Sequence, residues 1–174
     1  MRLTPVMHRY IVHWGEMGSR WGINRSVAQI HALLYLAPNP LHADEIAETL
    51  GIARSNVSVG IKELIAWDLV QVTHTLGDRR DFFIAQRDPW EVIRVIVEGR
   101  KRREIDPTLA FLRACVTELE NDAETPAEVR ERIAGQLEFL ETLTRWYDSI
   151  KSMPRKTLLK MMRLGQKIAK VIGE

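Results

Sequence analysis

Apolar side chains recur every three or four residues along the first 36 positions, the spacing of one face of an α-helix. The pattern predicts a first helix from about Pro5 to Trp21 and a second from about Arg25 to Leu36. Gly22 supplies a stop between them, and Asn24 can cap the second helix through its side-chain oxygen. Two prolines end the second helix, because proline has no N–H to donate to a continuing helix.

Two shorter helical patterns follow, separated by a three-residue turn. The first runs from Ala43 to Leu50 and is closed by Gly51, and the second runs from about Arg54 to Trp67. We expect Leu41, just before them, to form a one-residue strand bridge. The buried face of the fourth helix is predicted to consist of Val57, Ile61, Leu64 and Ile65. This arrangement is typical of a helix-turn-helix.

Two alternating segments rich in β-branched residues, Leu69 to Thr75 and Asp81 to Ala85, predict a β-hairpin. Its tip reads Gly77-Asp78-Arg79-Arg80, so two basic side chains project from the turn. A hairpin placed directly after a helix-turn-helix predicts a winged helix-turn-helix.

The second half of the chain is predicted to be helical, at about 89–105, 107–121, 126–150 and 155–172. Asp-Pro or Thr-Pro pairs stand at three of these starts, where a capping side chain and a proline favour a helix N-terminus. The predicted fold is therefore mostly α with a small β-hairpin: a winged helix-turn-helix domain plus a helical dimerisation region. We assign residues 1–23 to an N-terminal dimerisation helix, 24–88 to the DNA-binding domain, and 89–174 to a helical dimerisation and effector region.

Composition excludes several other classes of function. Cys115 is the single cysteine, so no internal disulfide or cysteine cluster can form, and we expect an inert buried thiol rather than a redox sensor. The five histidines lack metal-ligand spacing, and no nucleophile motif or phosphate-binding glycine loop is present. We therefore expect no enzyme activity, no cofactor and no metal. The absence of an 18-residue apolar run and of a signal peptide predicts a cytoplasmic protein without a membrane partner.

The outward face of the fourth helix carries short side chains in its N-terminal half. A helix that reads base edges needs such residues, because its first turns must approach the major groove closely. Asn56 can pair with adenine, Val59 can contact a thymine methyl, and Ser55 and Ser58 can contact a base or a phosphate. The alternative is that these side chains simply face solvent.

The arginines of the hairpin tip suit a narrow minor groove, because a guanidinium tolerates partial desolvation. Asp78 or Asp81 could hold one of them by an ion pair, and we expect one arginine to reach DNA and the other to be structural. Alternatively, both only keep an exposed turn soluble. The candidate DNA-binding residues are Arg54, Ser55, Asn56, Ser58, Val59, Lys62, Arg79 and Arg80.

The stretch HADEIAETLGIARSNVSVGIKELIAWDLVQVTHTLGDRRDFF resembles the winged helix of MarR-type regulators, and more narrowly their GbsR branch. The later run RDPWEVIRVIVEGRKRREIDPTLAFLRAC is similar to the same branch. The resemblance implies a homodimer that binds pseudo-palindromic operators, with Asp-Arg-Arg at 78–80 as the wing motif. Two positions depart from the pattern: His42 stands where Ser or Thr commonly caps a helix, and Asp68 where Gly often ends the recognition helix.

Two further surfaces concern self-association. The first helix and the stripe from Val129 to Ile150 carry more apolar positions than a small core needs, although part of each is ordinary core. Residues 107–150 hold four basic and nine acidic side chains, whereas 151–174 hold seven basic and one acidic. The basic amphipathic last helix could lie on a membrane, contact flanking DNA, or meet the acidic 118–141 region in a dimer, which we prefer.

A small-molecule effector is also considered. The GbsR branch is associated with choline sensing, and a quaternary ammonium requires an aromatic cage. The chain has aromatic residues for one, although core packing explains most of them equally well: Trp14, Trp21, Trp67, Trp90, Trp146 and Tyr147.

The sequence therefore predicts a homodimeric, sequence-specific regulator of transcription that binds double-stranded DNA, with repression preferred over activation. The alternative function is a winged-helix protein-interaction module that does not bind DNA.

Overall fold

The computed structural model describes the backbone of residues 1–172 and the side chains of residues 1–165. Eight α-helices lie within these residues: α1 (Pro5–Arg20), α2 (Arg25–Leu36), α3 (Ala43–Leu50), α4 (Arg54–Ala66), α5 (Pro89–Arg100), α6 (Asp106–Leu119), α7 (Ala127–Ile150) and α8 (Arg155–Ile172). The first four helices match the predicted bounds to within one residue.

Three short strands form one antiparallel sheet in the order β1-β3-β2, with β1 at Leu41–His42, β2 at Val70–Thr73 and β3 at Phe82–Ala85. The predicted hairpin is therefore present, with shorter strands than the alternation indicated. The predicted bridge at Leu41 is a two-residue strand that pairs with β3, His42 lying opposite Phe82. The sheet thus joins the start of α3 to the wing.

The chain forms two compact units, Met1–Gly99 and Arg100–Glu174. In the first unit, α2 is the central element and contributes fully buried side chains such as Ile30, Leu33 and Leu34. Both α1 and α4 pack against it. In the second unit, α6 and α7 pack together, and Leu109 and Leu112 of α6 are buried. This confirms the predicted fold class of a mostly helical chain with a small sheet.

Three helices of the first unit end in the same way. After α1, α3 and α4, one residue adopts a left-handed conformation: Gly22 (φ 77°), Gly51 (φ 62°) and Asp68 (φ 57°). In each case the next residue donates its N–H to a carbonyl five positions earlier, as from Leu69 to Leu64 at 3.0 Å. This is the Schellman arrangement, which normally places glycine at the left-handed position.

The region between α5 and α6 differs from prediction. The helix expected over 89–105 is regular only to Arg100, and Lys101–Ile105 form a π-helical segment. Asp106, expected to act as a cap, has helical backbone angles (φ −61°, ψ −42°). At Asp88, by contrast, the predicted cap is present, because its carboxylate accepts the N–H of Trp90 at 3.0 Å. The described residues contain no helix long and apolar enough to cross a membrane.

Candidate nucleic-acid interface

Helix α4 is held against the protein by one apolar face. Val57, Ile61 and Leu64 are at most 4% exposed. Gly60 also faces inward, where a Cβ atom would lie 2.7 Å from Cδ1 of Ile30 in α2. The steric reason for glycine here is therefore the close approach of two helices, and the outer face of α4 is not involved.

The opposite face of α4 is open to solvent. Every residue proposed from the sequence to contact DNA on this helix is exposed: Arg54, Ser55, Asn56, Ser58, Val59 and Lys62. Val59 is the unusual member, an apolar side chain that is 65% exposed. Arg54 differs from the others because it already has an ion-pair partner: its Nε is 3.1 Å from the carboxylate of Asp44 in α3.

The tip of the wing is organised by one carboxylate. Asp78 accepts the backbone N–H of Arg80 at 3.0 Å and the Nε–H of the same residue at 3.0 Å. These hydrogen bonds from Arg80 hold the pKa of Asp78 down at about 2, and the pair raises the pKa of the arginine. Gly77 allows the turn, with φ of 85°. Asp81, the other carboxylate considered, lies 3.6 Å from His74 instead.

The two wing arginines differ. The guanidinium of Arg80 also contacts His42, with Nη1 2.8 Å from Nε2, and lies 5.5 Å from the ring centre of Phe82. Arg79 is exposed and has no polar partner among the described residues. Sequence reasoning treated His42 only as a helix cap and missed its contact with the wing. Its pairing with Phe82 across the sheet was not visible in any local pattern.

A separate cavity of about 180 Å³ lies in the first unit between α1, α2 and α5. Its lining includes Tyr10 and Trp14, whose rings stack at 5.7 Å, together with Tyr35 and His31. His31 is 5% exposed, its Nε2 has no hydrogen-bond partner, and burial lowers its pKa to about 4. The imidazole is therefore neutral at physiological pH.

The aromatic residues proposed for a cage belong to both units, and their environments differ. Trp14 lines the cavity, Trp21 and Trp146 are more than half exposed, and the ring of Trp67 contacts Gly99. Among the described residues, no group of three His, Cys, Asp or Glu side chains is placed to hold a metal ion. The part of the basic tail beyond Gly165 lies outside the described side chains.

Comparison with known proteins adds to this geometry. Residues 21–81 match the sequence model of the MarR family. Over 136 residues the chain is 21% identical to the HTH-type transcriptional repressor GbsR of Bacillus subtilis (strain 168), with 76% of this chain and 75% of that protein aligned. A crystal structure of a transcriptional regulator superposes with a TM-score of 0.67 and 14% identity, covering 84% of this chain and 96% of the other.

The family match covers the helix-turn-helix and the wing tip, the same elements that the structure brings together, while the similarity to GbsR continues through most of the chain. The predicted resemblance is thereby confirmed. Residues 21–81 form a winged helix-turn-helix whose sequence matches the MarR family, in a chain that is similar to GbsR over 76% of its length.

Proposed function

We propose that this protein is a sequence-specific, double-stranded DNA-binding regulator of transcription that acts as a homodimer. The observation that carries the proposal is the two-sided character of α4, whose inner face is buried and whose outer face is open and, from Ser55 to Val59, carries short polar and small apolar side chains. Such a face can enter the major groove without obstruction from long side chains.

Helix α4 supplies the contacts that specify sequence. Asn56 can make two hydrogen bonds to adenine, and Val59 can pack on a thymine methyl, which would explain an apolar side chain left in water. The N-cap residue, Ala53, makes no side-chain hydrogen bond to the first turn. The N–H groups of Arg54 and Ser55 can therefore donate to a phosphate, for which a helix N-terminus is well suited, whereas that of Asn56 already donates to the Ala53 carbonyl.

The wing supplies electrostatic contacts in the adjacent minor groove. Three of the five N–H bonds of the Arg80 guanidinium point to Asp78 or His42, which leaves two for DNA on a side chain that is already oriented. Arg79 has no such restraint and suits a phosphate contact. We thus assign groove insertion to Arg80 and backbone attraction to Arg79.

A homodimer is supported by the second unit. None of the 24 residues of α7 is buried, and Phe139, Leu143 and Trp146 form an exposed apolar stripe at helical spacing. Apolar surface of this kind is stabilised when a second copy covers it. Two copies would present two α4 helices to half-sites about one turn of DNA apart. The relative named a repressor makes repression the preferred sign of regulation.

Duplex binding at several salt concentrations tests the wing assignment. Arg79→Ala should weaken binding to all duplexes and reduce the salt dependence, because one phosphate contact is lost. Arg80→Ala should weaken binding and also relax the preference for narrow minor grooves. Arg94→Ala on α5, which removes one exposed charge away from this face, is the control and should change little. Equal behaviour of all three variants would contradict the assignment.

The same assay separates the proposed function from its alternative. Asn56→Ala should lower discrimination at one base pair by about 1–3 kcal/mol while leaving binding to other sequences unchanged. A uniform loss would instead mark Asn56 as a phosphate contact. A protein-interaction module would show no duplex binding by the unmodified protein even at low salt.

The cavity beside His31 supports control by a small effector. Its volume is close to that of a cavity known to hold benzene, about 150 Å³, so a single-ring or similarly compact ligand fits. The lining contains no charged side chain, and its polar groups belong to tyrosine, tryptophan and a neutral histidine. Two ligand classes meet these conditions: a neutral ring with one polar group, and a compact organic cation held by ring faces.

Thermal unfolding with phenol or tetramethylammonium distinguishes these classes. A ligand that binds only the folded chain raises the unfolding temperature with concentration. Trp14→Ala should abolish that shift, and Trp21→Ala, at the exposed C-cap position of the same helix, should preserve it. No shift with either probe, or a shift that survives Trp14→Ala, would argue against an effector in this cavity.

A further inference from the structure

His42 belongs to two elements at once. It is the N-cap residue of α3, where its backbone N–H donates to the Glu45 carboxylate at 3.0 Å. It is also the last residue of β1, paired with Phe82 of the wing sheet. A side chain at this position can therefore act between the helix-turn-helix and the wing.

The contact between His42 and Arg80 fixes the state of the imidazole. Arginine has no acceptor atom, so in the 2.8 Å contact Nη1 donates and Nε2 accepts; the same Nε2 also lies 3.4 Å from a carboxylate oxygen of Glu45. The proton then lies on Nδ1, which is buried, has no hydrogen-bond partner among the described residues and is 3.8 Å from Asp44. In this tautomer the imidazole makes a hydrogen bond to the wing, which a residue serving only as a helix cap would not need.

Phe82 supports both partners. The imidazole meets its ring edge to face, with centroids 5.7 Å apart and an interplanar angle of 84°. The guanidinium of Arg80 lies 5.5 Å from the same ring centre. With Asp78 on its other side, Arg80 is restrained by a carboxylate, an imidazole and an aromatic ring. The His42 side chain is 14% exposed, so its own position is fixed by the surrounding residues.

We propose that His42 is a positioning residue that orients the wing arginine Arg80 toward DNA and couples that orientation to the start of α3. The inference rests on the proposed DNA-binding function and deepens it. An arginine oriented before binding loses less side-chain freedom when it enters a groove. Without His42, Asp78 still binds Arg80, but the pair can swing with the exposed turn.

Matched variants test the proposal through duplex binding. His42→Phe keeps a ring against Phe82 but removes the acceptor, and we expect an affinity loss of about threefold to tenfold. His42→Gln places an amide oxygen near the position of Nε2 and should restore affinity to within about twofold, given the modest worth of a single hydrogen bond. His74→Phe, on the exposed wing beside Asp81, is the control and should bind like the unmodified protein.

A double-mutant cycle with Arg80→Ala decides whether His42 acts through the arginine. His42→Phe should cause no further loss in the Arg80→Ala background, because the group it positions is absent. Additive losses would overturn the proposal, since they would show that His42 affects binding by another route. Failure of His42→Gln to restore affinity would overturn the acceptor role.

NMR of the free protein tests the contact between His42 and Arg80 in the absence of DNA, and therefore independently of the proposed function. The Nη1 hydrogens of Arg80 should give resolved signals in the unmodified protein and in His74→Phe, and averaged signals in His42→Phe. Unchanged signals in His42→Phe would overturn the contact itself. If the unmodified protein binds no duplex at low salt, the proposed function and the role assigned to His42 both fail, whatever the NMR signals show.

Discussion

At the scale of single residues, the end of α4 differs from the ends of α1 and α3 in the residue type that adopts the left-handed conformation. The ends of α1 and α3 place glycine in the left-handed conformation, whereas the end of α4 places Asp68 there. A residue with a Cβ atom is strained in this conformation, although aspartate tolerates it better than most. Its negative charge also lies near the negative end of the helix dipole, which is unfavourable.

Asp68→Gly should therefore stabilise the protein by about 1 kcal/mol, measured as the free energy of unfolding in urea. Asp68→Asn removes the charge but keeps a side chain, so it separates the dipole effect from the backbone effect and should recover only part of the gain. Asp68→Ala should stabilise less than either variant. A loss of stability in Asp68→Gly would mean that the carboxylate makes a contribution larger than the backbone strain.

His31 predicts a pH dependence of stability. Burial lowers its pKa from 6.5 to about 4, so below pH 6.5 the unfolded chain binds the proton more readily than the folded one. Stability from this group is full above about pH 6.5 and is lost as the pH falls toward 4. The loss should reach about 3 kcal/mol. In His31→Leu the unfolding free energy should fall less over the same range, and an identical pH profile would refute the assignment.

The two wing arginines show what the sequence alone could not predict. The pair Arg79-Arg80 was expected to contain one structural and one DNA-contacting member, but the sequence could not distinguish them. The distinction depends on the hydrogen bonds of Asp78 and on His42, 38 positions away along the chain. Local periodicity carries no information about which side chains a strand register brings together, so this contact had to come from the structure.

At the scale of elements, the close packing of α4 against α2 depends on the absence of a side chain at Gly60. In an open helix, Gly60→Ala would gain about 1 kcal/mol from helix propensity. Here the new methyl group would lie 2.7 Å from Cδ1 of Ile30, so one helix must move. We expect a net loss of about 1–3 kcal/mol in unfolding free energy.

Ile30→Val tests that explanation, because it deletes the carbon that the new methyl group would meet. The double variant Gly60→Ala/Ile30→Val should be more stable than the sum of the two single changes predicts, by roughly 1 kcal/mol in a double-mutant cycle. Additive effects would show that the clash with Ile30 is not the cause. Circular dichroism of each variant checks that the helical content is retained.

The sequence predicted the helices better than the segment that connects α5 to α6. Strong amphipathic spacing placed α1 to α4 correctly, because burial of one helix face dictates that spacing. The segment Lys101–Ile105 was missed, since a π-helical turn keeps helical backbone angles and leaves little trace in composition. At Asp106 the Asp-Pro pair predicted a capped helix start, but the chain there is already helical.

At the scale of the whole molecule, the exposed stripe of α7 links assembly to activity. Phe139 and Trp146 are 65% and 58% exposed and lie seven residues apart, so they share one helix face. Replacing both with glutamate would place two charges in the surface that we propose a second copy covers, where a buried unpaired charge is costly.

Phe139→Glu/Trp146→Glu should therefore give a monomer by sedimentation or light scattering and should lose most of its affinity for a two-half-site operator. Ala134→Glu adds a charge at an exposed position of the same helix, five residues before Phe139 and so on a different face, and serves as the control with no change in mass. A monomeric unmodified protein, or a variant that remains dimeric, would contradict the use of this stripe in self-association.

The glycine at the crossing of α2 and α4 has a consequence for protein engineering. Because the backbone of Gly60 lies directly against the side chain of Ile30 there, the position of α4 is set by the packing of the core. The side chains of Ser55, Asn56 and Val59 are exposed and make no contribution to that packing. These three positions can therefore be exchanged as a cassette, and libraries that vary them alone should yield altered target preferences on an undisturbed scaffold.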